Sequence, residues 1–331
     1  MRPFALAQAA DAAVAGQLAS ATSGSYLAGG TVLLDLMKLD VIQPSTLVDI
    51  NALAGRHGTI TADGDGLTLG ALVRMAEAEC HPAIRRHYPV IRDALWQAAS
   101  PQLRNMASLG GNVLQKTRCS YYRDVSWPNC NKRVPGSGCA AMDGVNRRLA
   151  VLGVSDHCIA HYPGDFATAL VALGAEVMLR GTDGGERHIP FEELHRLPGD
   201  TPHIETNLRP GELITAFHVP AGRWTRRSLY RKVRDRASYD FALASAAVAL
   251  HLDDGIVVAA RIGLGGVATK PWRAHEAERV LRGRRLDEPA AEQAAAAAFA
   301  GAVTRDETDF KPELGRRTLV RALLEAAAME L

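Results

Sequence analysis

Apolar positions along the chain change their period several times, and the changes divide it into predicted elements. In residues 4–20, FALAQAADAAVAGQLAS, Ala, Leu and Val recur at helical spacing and predict an amphipathic helix. YLAGGTVLLDLMKL follows as a short strand, a glycine loop and a helix beginning near Thr31, and STLVDI (45–50) reads as a strand. GTITADGDGLTLGAL predicts a hairpin, because Asp-Gly supplies the backbone conformations of a tight turn. Residues 71–79 and 83–98 have helical periodicity, the second run ending before Pro101. DFATALVALGA (165–175) predicts a helix, AEVMLRGTDGGERHIP a hairpin around Gly184 and Gly185, and GELITAFHVP a strand. From about residue 226, SLYRKV and ASAAVALHLDDGIVVAARIGLGG predict a small antiparallel sheet. Helices follow, the last with Leu319, Val320, Leu323 and Leu324 on one face. The order is α+β, followed by a smaller sheet-plus-helix domain, with units at 1–55, 56–225 and 226–331.

The stretch from 115 to 164 has almost no periodicity, and a loop of that length inside a compact domain is usually functional or disordered. A net charge of +2, with basic residues scattered among acids, gives no reason to expect nucleic acid as a partner. A small molecule or a protein is expected instead. No apolar run is long enough to span a bilayer. Gln8 and Asp11 interrupt the opening apolar stretch, so it is not read as a signal peptide; the expected location is the cytoplasm unless a partner carries the chain elsewhere.

Two glycine loops are candidate ligand contacts. AGGT (28–31) sits between a strand and a helix, and SLGGN (108–112) offers a second glycine pair beside a hydroxyl and an amide. Glycine lets backbone approach a ligand closely, and free N–H groups at a helix start can hold phosphate oxygens. AGGT lacks the GxGxxG spacing of a Rossmann site.

Four of the five cysteines fall in the long loop as C-x10-C-x8-C-x18-C: Cys119, Cys130, Cys139 and Cys158. Two disulfides, a structural zinc and an iron–sulfur cluster compete for them. Domains with substantial cores rarely need disulfide staples, and no tight C-x2-4-C pair marks zinc, so a metal of some kind leads. Gly136, Gly138 and Pro135 allow tight folding there. His157 and His161 read as groups around the site or at the surface rather than ligands. Lys132 and Arg133 read as a solvated patch or as a face toward an acidic electron-transfer partner. Cys80 reads as a small buried hydrophobe.

YLAGGTVLL, RNMASLGGNVLQ, PGDFATALVALGAEV, LRPGELI, YRKVRDRASYDFALASAAVAL and LGGVATKPWRAHEAERVL occur in this order. With them the chain resembles, over essentially its whole length, the FAD-binding subunits of the molybdenum hydroxylases, the xanthine dehydrogenase and aldehyde oxidoreductase family. The cysteine loop most resembles that of the flavin subunit of periplasmic aldehyde oxidoreductases. The resemblance implies a two-subdomain FAD-binding fold like that of the vanillyl-alcohol oxidases, then a C-terminal flavoprotein domain. It implies that Tyr26, Leu27, Ala28, Gly29, Gly30, Thr31, Val32, Leu33 and Leu34 wrap the pyrophosphate. Ser108 would donate to a phosphate, with Gly111 and Asn112 shaping the loop. Asp165 would hydrogen-bond the adenosine part, Ile214 would lie against the flavin, and Lys232 would sit near its redox-active ring. On their own, these three read as a helix cap, core and a solvated charge.

The resemblance further implies one [4Fe–4S] cluster on Cys119, Cys130, Cys139 and Cys158, and no catalytic residue in this chain. Aldehyde oxidation would occur in a molybdenum-cofactor subunit of a heterotrimer. Electrons would reach the FAD from a small subunit with two [2Fe–2S] clusters and leave to a ferredoxin-like, cytochrome or other external acceptor. A ferredoxin-fed aryl-CoA reductase of the 4-hydroxybenzoyl-CoA type and a zinc-stabilised, non-redox binding protein are the alternatives. A periplasmic location would require co-export with a signal-bearing partner.

Overall fold

The computed structural model describes residues 1–331 and arranges twelve strands in three sheets. Strands β1 (Ala5–Gln8), β2 (Ser25–Leu27) and β3 (Thr46–Asp49) form a parallel sheet with β3 in the centre. Strands β4 (Ile60–Ala62), β5 (Gly66–Gly70), β6 (Glu176–Arg180), β7 (Glu186–Pro190) and β8 (Leu213–Pro220) form an antiparallel sheet in the order β4-β5-β8-β6-β7. Strands β9 (Ser228–Val233), β10 (Ala244–Asp253), β11 (Ile256–Gly265) and β12 (Trp272–Arg273) complete the expected small antiparallel sheet, in the order β12-β11-β10-β9.

Both predicted hairpins form. At the tip of β4–β5, the Asp63 carboxylate accepts from the amides of Asp65 and Gly66, at 3.0 and 3.2 Å. β8 is the long-range piece, inserted between β5 and β6. On the face of the five-stranded sheet, the helix Asp165–Leu173 is buried at every position and helps build the largest core with Phe166, Phe191 and Phe217. A second core lies between the C-terminal sheet and the helices Glu288–Ala298 and Lys311–Ala327.

Three expectations change. Residues 4–20 are not one helix: β1 pairs with β3, and a helix runs only from Ala12 to Thr22. Asp11 separates them, since its side chain accepts from the amide of Val14 at 2.9 Å while its own backbone is extended. The helix expected over 83–98 is two, Pro82–His87 and Pro89–Trp96, because Pro89 has no N–H to continue the first. Cys80 is exposed, not buried.

The 115–164 stretch contains one short helix, Ser120–Arg123, and otherwise turns and isolated bridges. It is nevertheless packed. Cys119, Tyr121, Tyr122, Cys130, Leu149, Cys158 and Ile159 form an apolar cluster with Leu36 and Val41, which lie in and just after the helix that follows the first glycine loop. Behind it, the buried Lys311 ammonium donates to the carbonyls of Arg148 (3.1 Å), Leu149 (2.7 Å) and Gly266 (2.7 Å). The amide of Val303 donates to Val151 at 2.8 Å.

Candidate functional site

A cavity of about 930 Å³ lies between the parallel sheet, the two glycine loops and the cysteine-bearing stretch. Tyr26, Ala28, Gly29, Gly30, Thr31, Val32 and Leu33 line it, opposite Ser108, Gly111 and Ile214. The first loop needs both its glycines. A Cβ on Gly29 would stand 2.0 Å from the carbonyl oxygen of Met106, and Gly30 has φ +69°. The amides of Gly29, Gly30, Thr31 and Val32 donate to no backbone carbonyl, so their donors are free for an anion in the cavity. Asn51 steadies the loop, its side-chain amide donating to the carbonyl of Ala28 at 3.1 Å.

In the second loop the buried Ser108 hydroxyl accepts from the amide of Gly111 at 3.2 Å, which leaves its own proton free to donate. This pairing of exposed backbone donors and a hydroxyl fits the diphosphate of a dinucleotide. The Tyr26 hydroxyl donates to the carbonyl of Gly211 at 2.8 Å, and burial pushes it up to about 12, so it remains a neutral donor.

Five predicted contacts lie outside the lining. Leu27 belongs to β2, and its carbonyl accepts from Ile50. Leu34 packs under Gly30. The Asn112 side-chain amide points to the Met75 sulfur at 3.4 Å, though its backbone still shapes the loop. Asp165 and Lys232, expected at the adenosine and the flavin ring, instead bond to each other. Lys232 donates to the Asp165 carboxylate at 2.7 Å, and Tyr230 donates to the other oxygen at 2.5 Å. The Lys232 side chain is 1 % exposed. Asp165 is the first residue of its helix, with Gly164 at the cap, so it does not cap the helix through its side chain either. A buried charge needs a partner, and β9 brings this lysine to the helix start that holds the carboxylate.

The four loop cysteines belong to one apolar cluster, Cys119, Cys130 and Cys158 as buried members and Cys139 packed against them. All are free thiols. Cys130 and Cys139 face each other across an isolated antiparallel bridge, and a charge on Cys130 would raise the thiols of Cys119, Cys139 and Cys158. Burial pushes Cys119 up to about 12 and Cys158 up to about 11. Opposing that, neighbouring amides favour the thiolates: Tyr122 and Tyr121 near Cys119 and Ala141, Ile159 and Met142 near Cys139 pull those thiols down, and the Ala160 amide donates to the Cys158 sulfur at 3.5 Å. N–H groups aimed at sulfur are the surroundings a thiolate-bound cluster uses. No group of three His, Cys, Asp or Glu side chains is placed to hold a metal ion.

Lys132 and Arg133 turn inward rather than toward solvent. Arg133 donates to the carbonyls of Tyr121 (2.7 Å), Tyr122 (2.9 Å) and Trp127, tying the loop together. Lys132 donates to Glu205 at 2.6 Å, and Lys116 pairs with the same carboxylate. Burial pulls Glu205 up, but the two lysines outweigh it and hold its carboxyl below the usual range. Lys116, Lys132 and Glu205 all line the cavity, and so do the buried His161 and His195. His195 shares the carbonyl of Val113 with the Tyr162 hydroxyl, at 3.1 and 2.7 Å. Lys116, Glu205 and His195 carried no signal in the sequence, because each stands in irregular backbone and meets its partner through long-range packing. His157 is half exposed, 3.4 Å from Asp200.

Residues 1–222 match the model of the FAD binding domain in molybdopterin dehydrogenase, and residues 228–331 that of the CO dehydrogenase flavoprotein C-terminal domain. The aldehyde oxidoreductase FAD-binding subunit PaoB of Escherichia coli (strain K12) is 46% identical over 303 residues, 92% of this chain and 91% of that protein. The carbon monoxide dehydrogenase medium chain of Afipia carboxidovorans is 27% identical over 92% of this chain and 87% of its own. Among solved structures, reconstituted CO dehydrogenase from Oligotropha carboxidovorans superposes with a TM-score of 0.77 at 26% identity, with full coverage of both chains. Glycine loops that fit a dinucleotide, a domain match over most of the chain and whole-length relatives of one subunit type agree: this chain belongs to the FAD-binding subunits of the molybdenum hydroxylase family.

Proposed function

We propose that this chain is the FAD- and [4Fe–4S]-carrying electron-transfer subunit of a molybdenum-dependent aldehyde oxidoreductase. One observation carries the aldehyde assignment: the 46% identity, over nine-tenths of both chains, to an aldehyde oxidoreductase FAD-binding subunit. The bound flavin supplies an exchange between two-electron and one-electron steps. The work of this chain is to hold it. The amides of Gly29 to Val32 and the Ser108 hydroxyl would take the diphosphate, and Ile214 gives the cavity an apolar wall. Electrons would enter from a partner's [2Fe–2S] clusters and leave to an external acceptor; oxidation of the aldehyde belongs to the molybdenum-bearing chain.

The cysteine nest supports a cluster in this subunit. Four thiols gather in one packed loop, and the Ala160 amide donates to the Cys158 sulfur at 3.5 Å. A zinc-stabilised, non-redox binding protein is the alternative, and metal analysis with the visible spectrum separates the two, since zinc is colourless and an iron–sulfur cluster is not. Burial raises the thiols of Cys119, Cys139 and Cys158, so loading a cluster would release protons. Cofactor analysis of the complex purified without oxygen tests the reading. The expected result is one flavin and about four irons beyond the [2Fe–2S] complement per chain, with activity across an aldehyde panel. Flavin without the extra iron overturns the cluster, and absence of aldehyde oxidation overturns the substrate.

A further inference from the structure

The FAD cavity and the cysteine nest are separated by a shared wall. Lys132, Ala160 and Glu205 line the large cavity, and the same three line a small adjoining cavity that reaches Cys158. Glu205 stands in a segment outside the cysteine loop, where its carbonyl accepts from the amide of Arg196 and its neighbour Thr206 bridges His195. Its carboxylate takes two lysines from two places. Lys116 lies just before Cys119, and Lys132 lies two residues beyond Cys130. Lys132 also donates to the carbonyl of Pro202 at 3.1 Å. One carboxylate therefore fixes the start and the middle of the cysteine loop against the same outside segment.

The charge balance makes this more than a tether. Two ammonium groups on one carboxylate leave a net positive charge on the cavity wall, in partly buried surroundings where charges act strongly. A dinucleotide brings a diphosphate, and its negative charge in the cavity stabilises the wall that carries the lysines. Conversely, a loop that is loose at Lys116 and Lys132 withdraws positive charge from the cavity. Binding in one site and order in the other are then linked, and such linkage is reciprocal.

We propose that Glu205 is a positioning residue that couples the two cofactor sites: through Lys116 and Lys132 it holds the cysteine loop as a wall of the FAD cavity, so that cluster loading and FAD binding strengthen each other. The cluster half of this statement rests on the function proposed above.

A double-mutant cycle on the assembled complex, with FAD affinity as the readout, tests it. Deflavo complexes are titrated with FAD, and loop iron is counted separately from the partner's [2Fe–2S] iron. Cys158→Ser, which removes a thiol of the nest, is expected to weaken FAD binding roughly tenfold, equivalent to about 1.4 kcal/mol. Glu205→Gln is expected to do the same and to lower loop iron, with the partner's iron unchanged and Glu205→Asp recovering part of both. The double variant is expected to be no worse than either single one. If the two losses multiply, or if Glu205→Gln leaves FAD affinity and loop iron at wild-type levels, the coupling is refuted. Should Glu205→Gln fail to assemble, Lys116→Met keeps the Lys132–Glu205 pair and is expected to give an intermediate loss; full affinity and full loop iron there refute the coupling equally. Wild-type complex that holds flavin but no loop iron removes the cluster reading alone, because the effect of Glu205→Gln on FAD affinity is still measured.

Discussion

Gly29→Ala isolates the role of the first glycine loop, because the new atom meets only backbone, that of Met106 and Ala107. Its Cβ would stand 2.0 Å from the Met106 carbonyl oxygen and 2.7 Å from the carbonyl carbon. Ordinary contact begins above 3 Å, and the obstacle is backbone, so the 28–32 loop has to retreat by about an ångström rather than repack a side chain. Overpacking of this kind costs about 1–3 kcal/mol, and here the retreat moves the four free amides away from the diphosphate. A loss of about 2–3 kcal/mol from FAD binding corresponds to a dissociation constant roughly 30- to 150-fold higher. Flavin fluorescence titration of the deflavo complex reads it directly, and a urea midpoint near the wild-type value shows that the fold survived. Gly30→Ala is the comparison. It strains a left-handed residue and presses on the flexible Leu34 side chain, so its effect should be smaller. Wild-type FAD affinity in Gly29→Ala, with the fold intact, would mean that the loop does not hold the diphosphate.

Asp165→Asn should destabilise the chain by about 3–5 kcal/mol, since it strands the buried Lys232 ammonium; chemical denaturation reads the loss, and a change under 1 kcal/mol counts against a structural pair. Lys311→Met removes the donors of three carbonyls at about 1 kcal/mol each, partly offset by relief of a buried charge, and should lower the melting temperature by several degrees. Acidification should destabilise the fold through His161 and His195. Burial holds them at about 3 and about 4, below the ordinary 6.5, so the unfolded chain takes up protons that the folded one refuses. Their contribution is complete above pH 6.5 and falls by about 1.4 kcal/mol per pH unit for each histidine between 6.5 and 4. His195→Gln should flatten that slope in urea unfolding measured from pH 7 to pH 5; an unchanged slope argues against it.

Elements whose partners are near in sequence were legible. The β4–β5 and β6–β7 hairpins, the strand 46–49 and the helix from Asp165 follow from period and turn chemistry alone. What escaped is decided by distant chain. Phe4 to Gln8 have the composition of a helix start, yet β1 forms because β3 offers it an open edge. Asp165 and Lys232 each stood out singly, but nothing in a linear reading reveals that residues 67 positions apart form one buried pair. The cysteine stretch is the extreme case. It lacks period because its apolar groups point inward from turns, so its spacing shows four thiols but not the packed nest that gathers them. The glycine loops were readable as sites, whereas Glu205 was not: its role exists only where Lys116 and Lys132 meet it.

The seat of Lys311 has a consequence for how the protein matures. The carbonyls of Arg148 and Leu149 that it holds, and the Val151 carbonyl that takes the Val303 amide, belong to the back of the cysteine-rich stretch. A ribosome finishes those tethers last, some 150 residues after the first have emerged. For the cluster proposed above, iron and sulfide inserted earlier would meet an open bowl, so loading is expected only after synthesis ends, and a nascent chain stalled before Val303 should capture none.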